Sequence, residues 1–295
     1  MGPDHPDVAK SLNNLALLFK IQGRFAQSES LYKRSLAIRE KNFGPGHPDV
    51  AKSLNNLAEL YRAQGQYEQA EPLYLRSLAI WEKALDPHHP DIATSLNNLA
   101  LLYQTQGRYV LAEPLHQRSL AIWEKTLGPH HPLVATSLNN LAFLYSSQEQ
   151  YAKAEPLYIR SLAIDEKAYG PDHPDVATDL NNLAMLYHAR SQYAKAEPLY
   201  ERSLAIWEKV LGQDHHIVAT SLNNLAFLFS AQGQYAKAEP YYMRSLSILE
   251  KTLGSDHPLV ATCLENIATL YRETGREKAA EKFDKRAAAI RTKMR

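Results

Sequence analysis

Cysteine is almost missing from this sequence: Cys263 stands alone, so no internal disulfide can form, and that usage suits a reducing compartment. An excess of one charge is missing too. The 33 basic and 32 acidic residues leave a net charge of +1, so no global field draws the chain to nucleic acid or to an anionic membrane. No apolar run approaches the roughly 20 residues of a membrane-spanning helix, and no signal-peptide pattern opens the sequence. Gly2 is a poor myristoylation site, because Pro6 stands where that motif needs Ser or Thr. Nothing resembles a phosphate loop, a catalytic triad or a carboxylate pair. The expectation is a cytoplasmic protein, not an enzyme, with no cofactor, no metal and no nucleic-acid or membrane partner.

What is present is repetition. Ser-Leu-Asn-Asn-Leu-Ala at residues 11–16 returns at 53, 95, 137 and 221, and in altered form at Asp179–Ala184 and Cys263–Ala268. Each return falls 42 residues after the last, so the 295 residues hold seven copies of one unit. Such a period overrides the usual expectation of about two globular domains, because each repeat contacts mainly its neighbours. One repeat domain over 1–295 is expected, with repeats at about 5–46, 47–88, 89–130, 131–172, 173–214, 215–256 and 257–295. Met1–Asp7 reads like the inter-repeat linkers entered partway, so the array is expected to belong to a longer protein or to be bounded at a repeat junction.

The second unit serves as the pattern. Pro48 and Asp49 suit a helix start, where proline loses nothing and a carboxylate meets the positive end of the dipole. Leu54, Leu57, Ala58 and Tyr61 then make one helical stripe, and Gly65 supplies a left-handed stop. A second helix from about Tyr67 to Leu85 buries Tyr67, Ala70, Leu73, Tyr74, Leu78 and Ile80. Helix, turn, helix, turn, seven times, is an all-α class. Two local rules are broken. Pro72, Pro114, Pro156, Pro198 and Pro240 sit inside second helices, where a tolerated bend is expected. The turn glycine is replaced by Glu149 and Ser191, so those turns are expected to be strained or differently shaped. The last unit, with Glu277 in place of the aromatic and a charged helix over 277–295, is expected to act as a polar cap.

Leu-x-x-Leu-Ala-x-x-Tyr followed by Gly-x-Tyr and Ala resembles the tetratricopeptide repeat. The longer unit, with Leu-Asn-Asn-Leu-Ala, Ala-Glu-Pro-Leu-Tyr, Arg-Ser-Leu-Ala-Ile and Gly-Pro-x-His-Pro-Asp-Val-Ala, is similar to kinesin light chain repeats. The resemblance covers the whole chain. It implies a right-handed superhelical solenoid whose first helices line a concave groove that holds a peptide, with an Asn at the position of Asn56 gripping it.

The helical wheel places a groove independently. Opposite the stripe of Leu54 and Tyr61 lie Lys52, Asn56 and Glu59, flanked by Asn55 and Arg62. Asn56 belongs to a column kept in every unit: Asn14, Asn56, Asn98, Asn140, Asn182, Asn224 and Asn266. Asparagine suits a helix interior poorly, but it offers donor and acceptor together and so can pair with an extended chain of any sequence. The competing reading is that these amides bond to neighbouring helices and set the register of the stack. Specificity falls to variable positions on the same stripe. Lys10, Lys20, Lys52 and Arg62 come early; Leu101, Phe143, Met185 and Phe227 come later, with His188 near. The expected partner is a protein or peptide with acidic residues at one end and apolar or aromatic ones further along. Charge would orient it and apolar anchors would hold it. The oligomeric state is open, with a monomer favoured. Alternatives are a sensor array of a bacterial signalling protein, a self-associating scaffold and, less well supported because the basic groove is confined to two units, an RNA reader.

Other signals fit bland roles. The 12 histidines fall mostly in the linkers at a fixed register, too dispersed for a metal and explained by turn chemistry. Trp81, Trp123 and Trp207 share a register with Asp165 and suit packing. Cys263 suits packing better than nucleophilic chemistry.

Overall fold

The computed structural model describes residues 2–293. Among them are fourteen helices and no strand, and the chain divides into two compact units at Gln148/Glu149. The N-terminal unit holds α1 (Pro6–Ile21), α2 (Phe25–Phe43), α3 (Pro48–Ala63), α4 (Tyr67–Ala84), α5 (Pro90–Thr105), α6 (Tyr109–Leu127) and α7 (Pro132–Ser147). The C-terminal unit holds α8 (Tyr151–Tyr169), α9 (Pro174–Ala189), α10 (Tyr193–Leu211), α11 (His216–Ala231), α12 (Tyr235–Leu253), α13 (Pro258–Glu273) and α14 (Glu277–Lys293). Met1 and the last two residues of the expected 277–295 helix, Met294 and Arg295, lie outside the described residues. Within the units, α1/α2, α3/α4, α5/α6, α9/α10, α11/α12 and α13/α14 pack as antiparallel hairpins, and each second helix also packs on the first helix that follows it.

The linker histidines start the first helices. His5, His47, His89, His131, His173, His215 and His257 are N-caps whose Nδ1 accepts the backbone N–H two residues on, at 3.1–3.2 Å. That satisfies one of the donors a helix start leaves orphaned. Proline follows as the first helical residue in all but α11, where His216 takes its place.

The hairpins close on a small-residue contact. The serines of the Arg-Ser-Leu segments are fully buried, and the hydroxyls of Ser35, Ser77, Ser119, Ser203 and Ser245 donate to the carbonyl of an alanine on the facing first helix. The pairs are Ser35 to Ala9, Ser77 to Ala51, Ser119 to Ala93, Ser203 to Ala177 and Ser245 to Ala219, at 2.7–2.8 Å. Between repeats, a first-helix tyrosine donates to a glutamate of the preceding second helix, in Ser-Glu-Ser for Tyr61 to Glu29 and in Ala-Glu-Pro for Tyr103 to Glu71, Tyr145 to Glu113, Tyr187 to Glu155 and Tyr271 to Glu239. First helices touch neighbours on several sides, so α3 also buries Val50, Ala51, Ser53 and Leu60 beyond the four residues of the expected stripe.

Two expectations are refined. Glu149 and Ser191 hold φ of 58° and 56°, beside the 71–73° of Gly65, Gly107 and Gly233 in the same turn. The turns keep their shape, and a side chain is held in the left-handed region that glycine enters freely. The five second-helix prolines are exposed, and α4, α6, α8, α10 and α12 each continue through theirs as one helix.

Candidate functional site

The asparagines of the Asn56 column bond to the asparagine column one residue earlier in the sequence, forming ladders. Nδ2 of Asn56 donates to Oδ1 of Asn13 in the preceding repeat at 2.9 Å. Asn98 does the same to Asn55 at 3.3 Å and Asn140 to Asn97 at 2.9 Å. In the C-terminal unit Asn224 donates to Asn181 at 3.0 Å and Asn266 to Asn223 at 3.2 Å. The register-setting role is thus present in the fold. The amides are not exhausted by it. Among the described residues no hydrogen bond is recorded to the Oδ1 of Asn56, Asn98, Asn140, Asn224 or Asn266, and all five stay half-buried, while Asn14 is exposed and Asn182 half-buried. Each bonded amide is oriented with an acceptor and a second N–H left over.

The variable column divides by chemistry. In the N-terminal unit Glu59 is gripped by Lys20 at 2.9 Å and by Arg62 at 3.2 Å, with the Tyr74 hydroxyl also at 3.2 Å. Burial alone would raise this carboxyl, but the two cations outweigh it and hold it below the usual range. Two of the four early cations are therefore neutralised locally. Lys10 and Lys52 are exposed and make no ion pair among the described residues. Leu101 is half-buried, and Phe143 keeps 48% of its surface in solvent.

In the C-terminal unit several expected residues line one concavity. A recess of about 560 Å³ is walled by Met185 and His188 of α9, Asn223, Asn224 and Phe227 of α11 and Asn266 of α13. Tyr193 and Tyr200 of α10 reach it from the second-helix layer, and Ser191 from the turn. Phe227 and Asn266 also line an adjoining recess of about 240 Å³ with Tyr235 and Tyr242. Phe227 is 51% exposed and Met185 45%, while the leucines of their helices are buried. His188 sits against Phe227 with ring centroids 4.8 Å apart and meets Tyr193 edge-on at 5.6 Å. Burial pushes the pKa of His188 down, so the neutral ring is favoured in this wall.

The tyrosines from α10 were missed in the sequence because that register is a core register elsewhere. A hairpin-level pairing was missed as well. The residue at the His188 register faces the Tyr200 register of its own hairpin. At other hairpins these positions hold Arg62 with Tyr74, Gln104 bonded to His116 at 3.2 Å, and Arg272 with Asp284. His116 is buried and its pKa falls to about 4, so it serves there as a neutral partner for Gln104. Cys263 is buried, its Sγ 3.6 Å from the Tyr242 carbonyl, and burial pushes the thiol up to about 12, which leaves it unreactive at neutral pH. No helix of the described residues is long and apolar enough to cross a membrane.

Helical hairpins of this length, stacked first helix on first helix, define a class. The tetratricopeptide repeat family profile matches residues 8–49, 49–113, 91–167, 134–209, 180–251 and 217–293, and the chain belongs to that family. Its repeats are of the kinesin light chain type. A Podosopora anserina protein with nearly identical TPR-like repeats of that type is 31% identical over 71% of this chain and 98% of its own, with a TM-score of 0.62. Among more distant folds, apo RapI superposes over 97% of this chain and 98% of its own at 16% identity with a TM-score of 0.74. A Rap protein complexed with Competence and Sporulation Factor covers 98% and 99% at 14% identity, with a TM-score of 0.58. No curated protein matches the chain. Repeats of this family act as non-catalytic interaction scaffolds.

Proposed function

We propose that this interaction scaffold holds an extended segment of a partner protein against its first helices, and that the recess walled by Met185, His188, Tyr193 and Phe227 takes an apolar or aromatic anchor of that segment. The convergence of two exposed apolar side chains with three ladder asparagines carries this reading. An apolar floor beside oriented amides suits a peptide: the side chain fills the floor while Asn224 and Asn266 meet its backbone. Asn182 would take the same part on α9.

In the N-terminal unit, Asn56, Asn98 and Asn140 offer the same oriented amides and Asn14 an exposed one, with Leu101 and Phe143 as apolar contacts. Lys10 and Lys52 are the cations open to acidic residues, while Arg62 is committed to Glu59 and would act by shaping that wall. The partner class is a protein or peptide carrying apolar or aromatic residues together with acidic ones. That a Rap protein of like fold was crystallised with Competence and Sporulation Factor supports binding by such scaffolds, at the level of fold alone.

The test is selection of random peptides on the full chain, followed by calorimetric titration of the selected peptide against Phe227→Ala and Asn224→Ala. Both variants are expected to weaken binding about tenfold or more, the span of a 1.4 kcal/mol loss. Unchanged affinity in both would remove the recess from the reading.

A further inference from the structure

We propose that the junction of α8 and α9 is a proton-sensitive clasp, in which the sealed carboxyl groups of Asp165 and Asp179 share one proton whose loss loosens α9 from α8. At this junction two repeat registers change character together. Asp165 stands where Trp81, Trp123 and Trp207 stand in other repeats, and Asp179 stands where Ser53, Ser95, Ser137 and Ser221 stand. Asp165 is 5% exposed and Asp179 is 1% exposed. The two carboxyls lie within hydrogen-bonding reach of each other, where only a proton held by one of them can bridge the pair, and Ser161 donates to Asp179 at 3.1 Å from each oxygen. Among the described residues Oδ1 of Asp165 has no hydrogen-bond partner, so a negative charge there is poorly met.

The surrounding charges add to this. Asp175, in the first turn of α9, bears on both carboxyls, and His173 at the N-cap bears weakly on Asp165. The His173 ring is engaged with the N–H of Asp175 and stacked on Tyr169 of α8. On α10, Arg202 is paired with Glu166 of α8 and Lys209 with Asp172 of the linker. Burial first, and then the charge of Asp165, pushes Asp179 up to about 8; burial first, and then Asp175, pushes Asp165 to about 6. Unfolded aspartates titrate near pH 3.9. The folded pair thus keeps a proton that the unfolded chain has released, and its contribution to stability is complete below about pH 4 and lost as pH rises to about 8. Deprotonation passes the proton to solvent and leaves two carboxylates in one sealed site. α9 also carries Met185 and His188, but the clasp does not depend on any ligand reading.

Two measurements on the full chain test this. Carboxyl ¹³C titration of the wild type is expected to show one of the two side chains still protonated at pH 6; both ionised by pH 5 would overturn the clasp. Thermal unfolding and amide exchange at pH 5 and pH 9 then compare wild type with Asp179→Asn and Asp179→Ser, the latter restoring the residue of the other repeats. The wild type is expected to lose about 5 °C more than either variant over that range, the order produced by one or two kcal/mol in a chain of this size, with the loss of protection confined to α8 and α9. Parallel profiles in all three proteins, or a loss spread evenly over the helices, would contradict it.

Discussion

Phe227 shows how one side chain can be set apart from its own helix. Its neighbours Ala226, Leu228 and Phe229 are fully buried, while half of Phe227 stays in solvent against His188. Truncating it removes little core, so Phe227→Ala should leave the melting temperature within about 2 °C of wild type, because exposed positions cost about 0.5 kcal/mol or less. Differential scanning calorimetry checks this, and it separates a binding defect from an unfolding one. Glu149 and Ser191 behave in the opposite sense. Each holds a backbone region that costs an L-residue about 1–2 kcal/mol, so Ser191→Gly should stabilise the chain by about 1 kcal/mol in denaturant titration. If that substitution destabilises, the side chain at Ser191, which lines the recess, is making a contact worth more than the strain.

At the scale of the helix pair, stability rests on close approach and capping. Ser77 fills the narrow space over Ala51 and satisfies its carbonyl with a second hydrogen bond. Ser77→Ala should cost about 1 kcal/mol, and His131→Ala should cost a similar amount by uncapping α7; urea titration of each variant reads both. These elements also show what was legible beforehand. The Leu54, Leu57, Ala58 and Tyr61 stripe and the turn glycines located the helices, because a 3.6-residue period and a left-handed stop are local properties. The caps were seen only as turn chemistry, since histidine is an unusual N-cap and its Nδ1 role depends on ring orientation. The buried serines were invisible because their acceptors lie 26 residues away on another helix. The Asp165–Asp179 pairing was missed for the same reason: each residue reads as a lone departure at its own register until the fold brings the two registers together.

At the scale of the whole molecule, charge is spent locally. Cations and carboxylates pair from repeat to repeat, as in Arg76 with Glu40, Arg118 with Glu82 and Arg244 with Glu208, so a net charge of +1 arises from neutralised neighbours rather than opposed faces. Exposed pairs of this kind contribute about 0–1 kcal/mol each and do little to select a partner. The recess of the C-terminal unit is lined by apolar, aromatic and amide groups and by a histidine whose neutral form is favoured. A peptide held there should bind with affinity changed less than about threefold between roughly 0.05 and 0.5 M salt, since screening acts on charges and not on apolar burial. Titration across that range checks it, and a steep salt slope would assign the affinity to Lys10 and Lys52 instead.

The idea underneath is that oriented asparagines and exposed apolar side chains on the first helices together receive a partner's chain. Amide hydrogen exchange of the full chain, with and without a peptide selected from a random library, tests that most directly. The predicted result is protection focused on α9, α11 and α13 of the C-terminal unit and lost in Phe227→Ala. Protection confined to the second helices, or left intact by that substitution, would contradict it.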